Sequence, residues 1–306
     1  MPYDLASPLV IGISSRALFD LEEENRLFET RGLDAYAAYQ VANEEKILQP
    51  GAGFELVKAF LRLNACSPGS RLVEVIILSR NSPDTSLRIF NSIRHYGLDI
   101  TRAALSGGAP VAPYLSAFQT DLFLSAHASD VQEAIASGIA AGILLTSSLP
   151  AGHRSRVDQI RIAFDGDAVL FSAEAERIYQ QAGIEAFQEH ERSHADEPLP
   201  KGPFANFLTA LSHIQAMFPD GENVPIRTAL VTSRNAPAHE RAIKTLRKWQ
   251  VRVDEAFFLG GVSKTEVLKR FGAHIFFDDQ HTHADPASGV VPSAVVPYRA
   301  GDDPRA

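Results

Sequence analysis

The stretch around Asp165, RIAFDGDAVLFSAEAERIYQQAGIEAFQEH, has a counterpart around Ser14, VIGISSRALFDLEEENRLFETRGLDAYAAY, in the same register and without a gap. Ser14 falls on Asp165 (165 − 14 = 151), Gly32 on Gly183, Leu33 on Ile184 and Tyr36 on Phe187. Further along, LVEVIILSRNSPDTSLRIFNSIRHYGLDITRAALSGG aligns with IRTALVTSRNAPAHERAIKTLRKWQVRVDEAFFLGG, TDLFLSAHA with AHIFFDDQH, and SGIAAGILL with SGVVPSAVV. Offsets stay near 151–154 over roughly 140 residues, through turns as well as apolar runs, which chance hydrophobic similarity does not sustain. The chain therefore reads as an internal duplication, and any fold proposed for one half has to suit the other.

Within each copy, short apolar runs alternate with amphipathic stretches. In the second copy the runs are Ile160–Phe164, Ala229–Thr232, Ala256–Leu259 and His274–Phe277, with Val290–Val296 weaker. Helical patterns such as His239–Trp249 and Thr265–Phe271 separate them. Apolar strands joined by helical crossovers predict an α/β fold with a doubly wound parallel sheet, whose ligands sit beyond the carboxyl ends of the strands. The expected division is 1–150 and 151–306, with residues 172–225 of the second copy forming a small helical cap. Its aromatics Phe204 and Phe207 are candidates for base recognition, although helix amphipathicity explains them equally well. The tail YRAGDDPRA is expected to be loose.

Composition narrows the partners. A formal net charge of −8 leaves no electrostatic footprint for a nucleic acid polymer or an anionic membrane. No run approaches the roughly 18 apolar residues of a membrane span, and the N-terminus lacks a signal-peptide pattern, so a cytoplasmic protein is expected. With Cys66 as the one cysteine there is neither a disulfide framework nor a thiolate metal cage.

The polar groups of the second copy fall at the strand ends. Asp165-Gly166-Asp167 follows the first run: one carboxylate can attack phosphorus, and the other can protonate the leaving oxygen and later activate water. Such a triplet alone more often marks a loop. Thr232 offers a hydroxyl to a phosphate oxygen. Asn235, followed by Pro237, suits the cap of the next helix. Ser233, Arg234, Asn235 and Gly261 are further candidates for substrate contact. Ser263 and Glu266 have the spacing of a capping box, which would put Lys264 in the first turn of a helix, facing an anion or simply solvent. Asp278-Asp279 close the fourth run. With Asp165 and Asp167 they form an all-oxygen set suited to Mg2+. His281 and His283 read as exposed loop histidines.

The first copy has Ser14 in place of Asp165, Arg16 in place of Asp167, Leu78 for Thr232, Val111 for Lys264, and Ser125-Ala126 for Asp278-Asp279. It is expected to be catalytically silent. It keeps Ser79-Arg80-Asn81, which favours a shared capping need over a binding role for Arg16 and Arg80 toward part of a nucleotide or a regulator.

The order Asp-x-Asp, Thr, Lys, Asp-Asp resembles the four-motif signature of the haloacid dehalogenase superfamily. The strings SSRALFDLEEEN, VEVIILSRNSPDTSLRIFNSIRHYGLDITRAALSGG, FDGDAVLFSAEAE and FLGGVSKTEVLKRFGAHIFFDDQ resemble, over nearly the whole chain, the cytosolic 5′-nucleotidase type I family. The resemblance implies magnesium-dependent hydrolysis of a nucleoside 5′-monophosphate such as AMP. It makes Asp165 the nucleophile and Asp167 the acid/base, with Thr232 and Lys264 on the phosphoryl group and Asp278 and Asp279 at the metal. Animal members are described as regulated by nucleoside diphosphates, so a nucleotide effector is a candidate partner, as is a second copy of the chain in a homo-oligomer. Two rival readings are a phosphatase of sugar phosphates and a nucleotide sensor without turnover.

Overall fold

The computed structural model describes residues 4–67, 69–145, 159–218 and 224–299. The first half runs β1 (Leu9–Ile13), α1 (Ser15–Leu18), α2 (Glu22–Ala42), α3 (Phe54–Arg62), β2 (Val73–Ser79), α4 (Leu87–His95), β3 (Arg102–Leu105), α5 (Ala112–Leu115), β4 (Leu122–Ser125), α6 (Ala128–Ala136) and β5 (Ala140–Leu144). The second runs β6 (Ile160–Phe164), a wide turn (Gly166–Leu170), α7 (Glu174–Ser193), α8 (Ala205–Ala216), β7 (Ile226–Thr232), α9 (His239–Lys248), β8 (Glu255–Phe258), α10 (Thr265–Phe271), β9 (Ile275–Asp278), α11 (His281–Ser288) and β10 (Ser293–Val295). The junction at residues 150 and 151 and the tail from residue 300 lie outside the described residues.

Ten strands make one sheet in the order β3-β2-β1-β4-β5-β10-β9-β6-β7-β8. From either edge inward the order of equivalent strands is the same. Every neighbouring pair is parallel except the central one, where β5 and β10 run antiparallel through Ile143 with Val295 and Leu144 with Ala294. The expected all-parallel sheet is corrected at this seam. Two like units that meet through the same edge are related by a two-fold, and a two-fold perpendicular to a sheet reverses strand direction. Gly142 permits the approach, since a Cβ there would stand 2.9 Å from the Ala294 Cβ. All residues of β1, β2, β4 and β9 are buried, as central strands between helical layers require.

Local structure repeats with the sequence. Gly32 in α2 and Gly183 in α7 both adopt φ +79° and ψ −176°, a conformation open essentially to glycine alone, and each kinks its helix. The Leu48 amide donates to Ser92 Oγ at 3.0 Å, and the Leu199 amide donates to Thr245 Oγ1 at 2.9 Å. Arg88 Nε donates to the Lys46 carbonyl at 2.7 Å, and Arg241 Nε to the Glu197 carbonyl at 2.9 Å. Strand register revises one alignment. Ile13 pairs with Ile77, and Phe164 with Leu230, so two residues later Ser79, not Leu78, stands where Thr232 stands. The first half thus keeps a hydroxyl at that position. The ungapped alignment of the SRN triplets had displaced it by one residue.

Helix α8 buries Phe207, Leu208 and Leu211, and the Phe204 ring lies 4.5 Å from that of Phe277. Phe204 and Phe207 are core, not base-recognition aromatics. Within 172–225 this leaves α7 as the helix against the polar strand ends, through Glu191 and Phe187.

Candidate active site

β6, β7 and β9 lie side by side and end at one place, which brings together side chains 113 residues apart in sequence (278 − 165 = 113). Asp165 follows β6, with its amide donated to the Phe277 carbonyl at 2.8 Å. Lys264 precedes α10 and its Nζ bridges Asp165 Oδ1 at 2.9 Å and Asp278 Oδ2 at 2.6 Å. One carboxylate oxygen from each of Asp165, Asp278 and Asp279 lies within 4.8 Å of the other two, and all three residues are buried. Asp278 Oδ1 also accepts the Gln280 amide at 2.9 Å. Three carboxylates face one ammonium, with His283 as the other basic group beside them among the described residues, so the fully ionised set would carry surplus negative charge. Burial, together with the charges of Asp165 and Asp278, pushes the Asp279 carboxyl well above its usual range. Burial pushes Asp165 up to about 6 against the opposing pull of Lys264. Asp278 goes the other way: burial would raise it, but Lys264 and His283 hold it below the usual carboxylate range. The buried Lys264 ammonium is favoured by Asp165 and Asp278 beyond its desolvation cost. Asp279 Oδ1 is buried with no hydrogen-bond partner among the described residues. An oxygen-only donor set with surplus negative charge and an unpaired oxygen fits a hard divalent cation.

The Asp167 side chain is elsewhere. Arg234 grips it with Nε at 2.8 Å and Nη2 at 2.7 Å, so its carboxylate does not join the three-carboxylate cluster expected to include it. Arg234 in turn is not aimed at a ligand. Its Nη1 donates to Glu191, which also accepts from Arg241 Nη1 at 2.8 Å, and its guanidinium lies 5.5 Å from the Phe187 ring centroid. Burial would raise Glu191, yet the two arginines hold it below its ordinary value. Glu191 and Arg241 had no strand-end position to mark them; they are found only once α7 folds onto α9.

Thr232 is buried, and its Oγ1 accepts the Arg234 amide at 3.2 Å, leaving its proton for a ligand. A Cβ on Gly166 would come within 3.1 Å of that oxygen, so glycine keeps the space between Asp165 and Thr232 open. In the first half Ser15 fills the same place, with its Oγ 2.9 Å from Ser79 Oγ. Ser233, Asn235 and Gly261 lie exposed at the rim. Asn235 does not cap α9, which starts at His239 after Ala238 with no side-chain cap. No reciprocal capping box forms either: Ser263 Oγ accepts the Thr265 amide at 3.4 Å, and Lys264 itself is the N-cap. In the first half Arg80 is not serving a cap; it is held by Asp130 at 2.7 Å. His283 is less remote than a loop histidine. It lies in the first turn of α11, with its Nδ1 3.5 Å from Asp278 Oδ1, while His281 is exposed and pairs with Asp285. Tyr298 is not loose: its hydroxyl donates to Asp279 Oδ2, and its carbonyl accepts from Gln132 of α6.

Fold and centre together define an α/β protein with a lysine-bridged acidic centre at the carboxyl ends of parallel strands. A family model described as 5′-nucleotidase matches residues 1–303, and the chain belongs to that 5′-nucleotidase family. It is 38% identical over 288 residues to human cytosolic 5′-nucleotidase 1B, covering 91% of this chain and 47% of that relative's length. The chain therefore spans about half of the relative. Two solved structures are more distant. A histidinol dehydrogenase from Elizabethkingia anophelis is 10% identical with a TM-score of 0.25, over 78% of this chain and 48% of that one. A Pnkp1/Rnl/Hen1 complex is 12% identical with a TM-score of 0.34, over 95% and 97%. Neither score supports an argument about the fold. No helix among the described residues is long and apolar enough to cross a membrane.

Proposed function

We propose that the chain hydrolyses nucleoside 5′-monophosphates to nucleoside and phosphate at the Asp165 centre. The observation that carries this reading is Lys264 held between Asp165 and Asp278 beside an underneutralised Asp279, in a chain whose family and human relative bear the name 5′-nucleotidase. Asp165, Asp278 and Asp279 would hold magnesium, which on binding supplies charge neutralisation to a phosphoryl group. Lys264 and the Thr232 hydroxyl position that group. An Asp165 oxygen attacks phosphorus in line as the bond to the 5′-oxygen breaks, giving an aspartyl-phosphate. The departing oxygen takes its proton from Asp167, and Asp167 then accepts one from the water that releases phosphate. Both transfers require Asp167 to let go of Arg234 and turn toward Asp165. The Arg234–Glu191–Arg241 lock in α7 and α9 keeps the Arg234 half of that hinge fixed.

In this reading the haloacid dehalogenase-like unit occurs twice. Residues 1–150 form a silent copy and 151–306 the working one, with α7 as the cap. The repeated strand order, the matched glycine kinks and the paired hydrogen bonds support it. Released phosphate measured over a panel of nucleoside monophosphates and sugar phosphates, with and without magnesium, tests the function. Release from AMP that depends on magnesium is expected. Release from sugar phosphates alone would replace the reading with the broader phosphatase.

A further inference from the structure

At the carboxyl ends of β1 and β2, the counterparts of the strands β6 and β7 that carry the acidic centre, the first half has a cavity of about 570 Å³. That is within the roughly 300–1,000 Å³ of small-molecule sites. Leu21, Leu33 and Ala37 line it, with Phe28 and Tyr36 edge to face at 6.0 Å between centroids. Apart from the exposed Asp34, the charged groups that line it are already engaged. Arg16 makes two bonds of 2.9 Å to Glu22, Arg80 is held by Asp130, and Glu24 accepts from Arg88 at 2.6 Å. Burial holds His127 below its ordinary pKa, which favours the neutral ring. The positions of Asp165 and Asp278 are Ser14 and Ser125, so the cation-binding set is gone. One polar group is left over. Asn81 Oδ1 accepts from the Tyr36 hydroxyl at 3.3 Å, but Asn81 Nδ2 is buried without a partner among the described residues. An unpaired buried amide donor is destabilising, and an acceptor on a bound molecule would offset that cost.

We propose that this cavity binds a nucleoside, and not a phosphorylated nucleotide. An aromatic and aliphatic wall suits a planar base, the free Asn81 donor suits a ring nitrogen or carbonyl, and the Ser14 and Ser79 hydroxyls suit a sugar. Arg16 and Arg80 are each already paired with a carboxylate, and Asp34 adds negative charge to the lining, so the cavity as a whole does not favour a phosphate, contrary to the regulator role that Arg16 and Arg80 suggest in the sequence. The choice of nucleoside rests on the reaction proposed above, of which it would be the uncharged product.

Calorimetric titration of the full chain with adenosine, without added metal, tests the site. Wild type should bind one equivalent. Ala37→Phe, which fills the cavity from α2, should weaken binding at least about tenfold while leaving phosphate release from AMP unchanged. Asn81→Ala should weaken it as well, and decides the matter if Ala37→Phe does not fold. Adenosine affinity equal in wild type and both variants, no binding at all, or an AMP affinity that depends more strongly on Ala37 than that of adenosine would each overturn the proposal. Loss of adenosine binding in the variants of a chain that releases no phosphate would leave the cavity standing and remove the catalytic reading instead.

Discussion

Asp165 answers to two opposing influences. Its neighbours and burial favour the protonated acid, while Lys264 at 2.9 Å favours the carboxylate that a nucleophile has to be. Asp165→Asn keeps the shape and removes the attacking charge, so turnover should fall by at least about three decades. Retention of a tenth of the wild-type rate in a sample checked for deamidation would refute the assignment. The same residue sets a pH dependence. A carboxyl whose pKa rises from 3.8 unfolded to about 6 folded binds its proton more tightly when folded. Its contribution to stability is therefore present below about 4 and lost as pH rises through about 6. Metal-free wild type should lose stability relative to Asp165→Asn across that window in paired thermal melts, and magnesium should reverse the trend. Asp165, Thr232, Lys264 and Asp278 were legible because each ends or follows a patterned run. Glu191, Arg241 and Tyr298 were not, since each acts through a contact between segments that only the folded chain creates.

The strand at Ile160–Phe164 and the helix at Thr265–Phe271 fall where the sequence predicts them, because the first run is short and rich in β-branched and aromatic residues and the second keeps a helical period. The predictions that failed concerned helix starts and partners. Asn235 and Ser263 have the right chemistry for caps, but the N-cap positions of α9 and α10 fall on Ala238 and Lys264 instead. Capping depends on where the chain is placed by its packing, and local spacing alone does not fix that. The paired kinks give a test of equivalence at this scale. Gly32 and Gly183 share one conformation and have nothing near a Cβ, so any penalty for a side chain is conformational. Gly32→Ala and Gly183→Ala should each cost about 1–3 kcal/mol in urea unfolding. Only the second should also lower turnover, through α7 and Glu191. Equal loss of turnover in both would contradict the assignment of work to the second half.

For the whole molecule, one seam of two strands joins halves that otherwise keep separate strand sets. Gly142 sits on that seam, where a Cβ would meet Ala294 at 2.9 Å and Phe277 at 3.2 Å. Phe277 immediately precedes Asp278. Gly142→Val should therefore destabilise the protein by about 1–3 kcal/mol through overpacking. It should also weaken magnesium binding, read by the metal-dependent rise in melting temperature, although it lies in the other half. An unaltered metal response would separate seam from centre. The reversal of strand direction at the seam has a larger consequence. The polar ends of β1–β5 and of β6–β10 face opposite ends of the sheet, so the first half's hollow and the acidic centre open onto different sides of the protein. Nothing bound at one mouth can extend into the other, and a nucleoside released by the proposed reaction at the second would have to cross bulk solvent before entering the first. Occupancy of the hollow would then follow the surrounding concentration of nucleoside, whatever single turnover had just been completed on the far side.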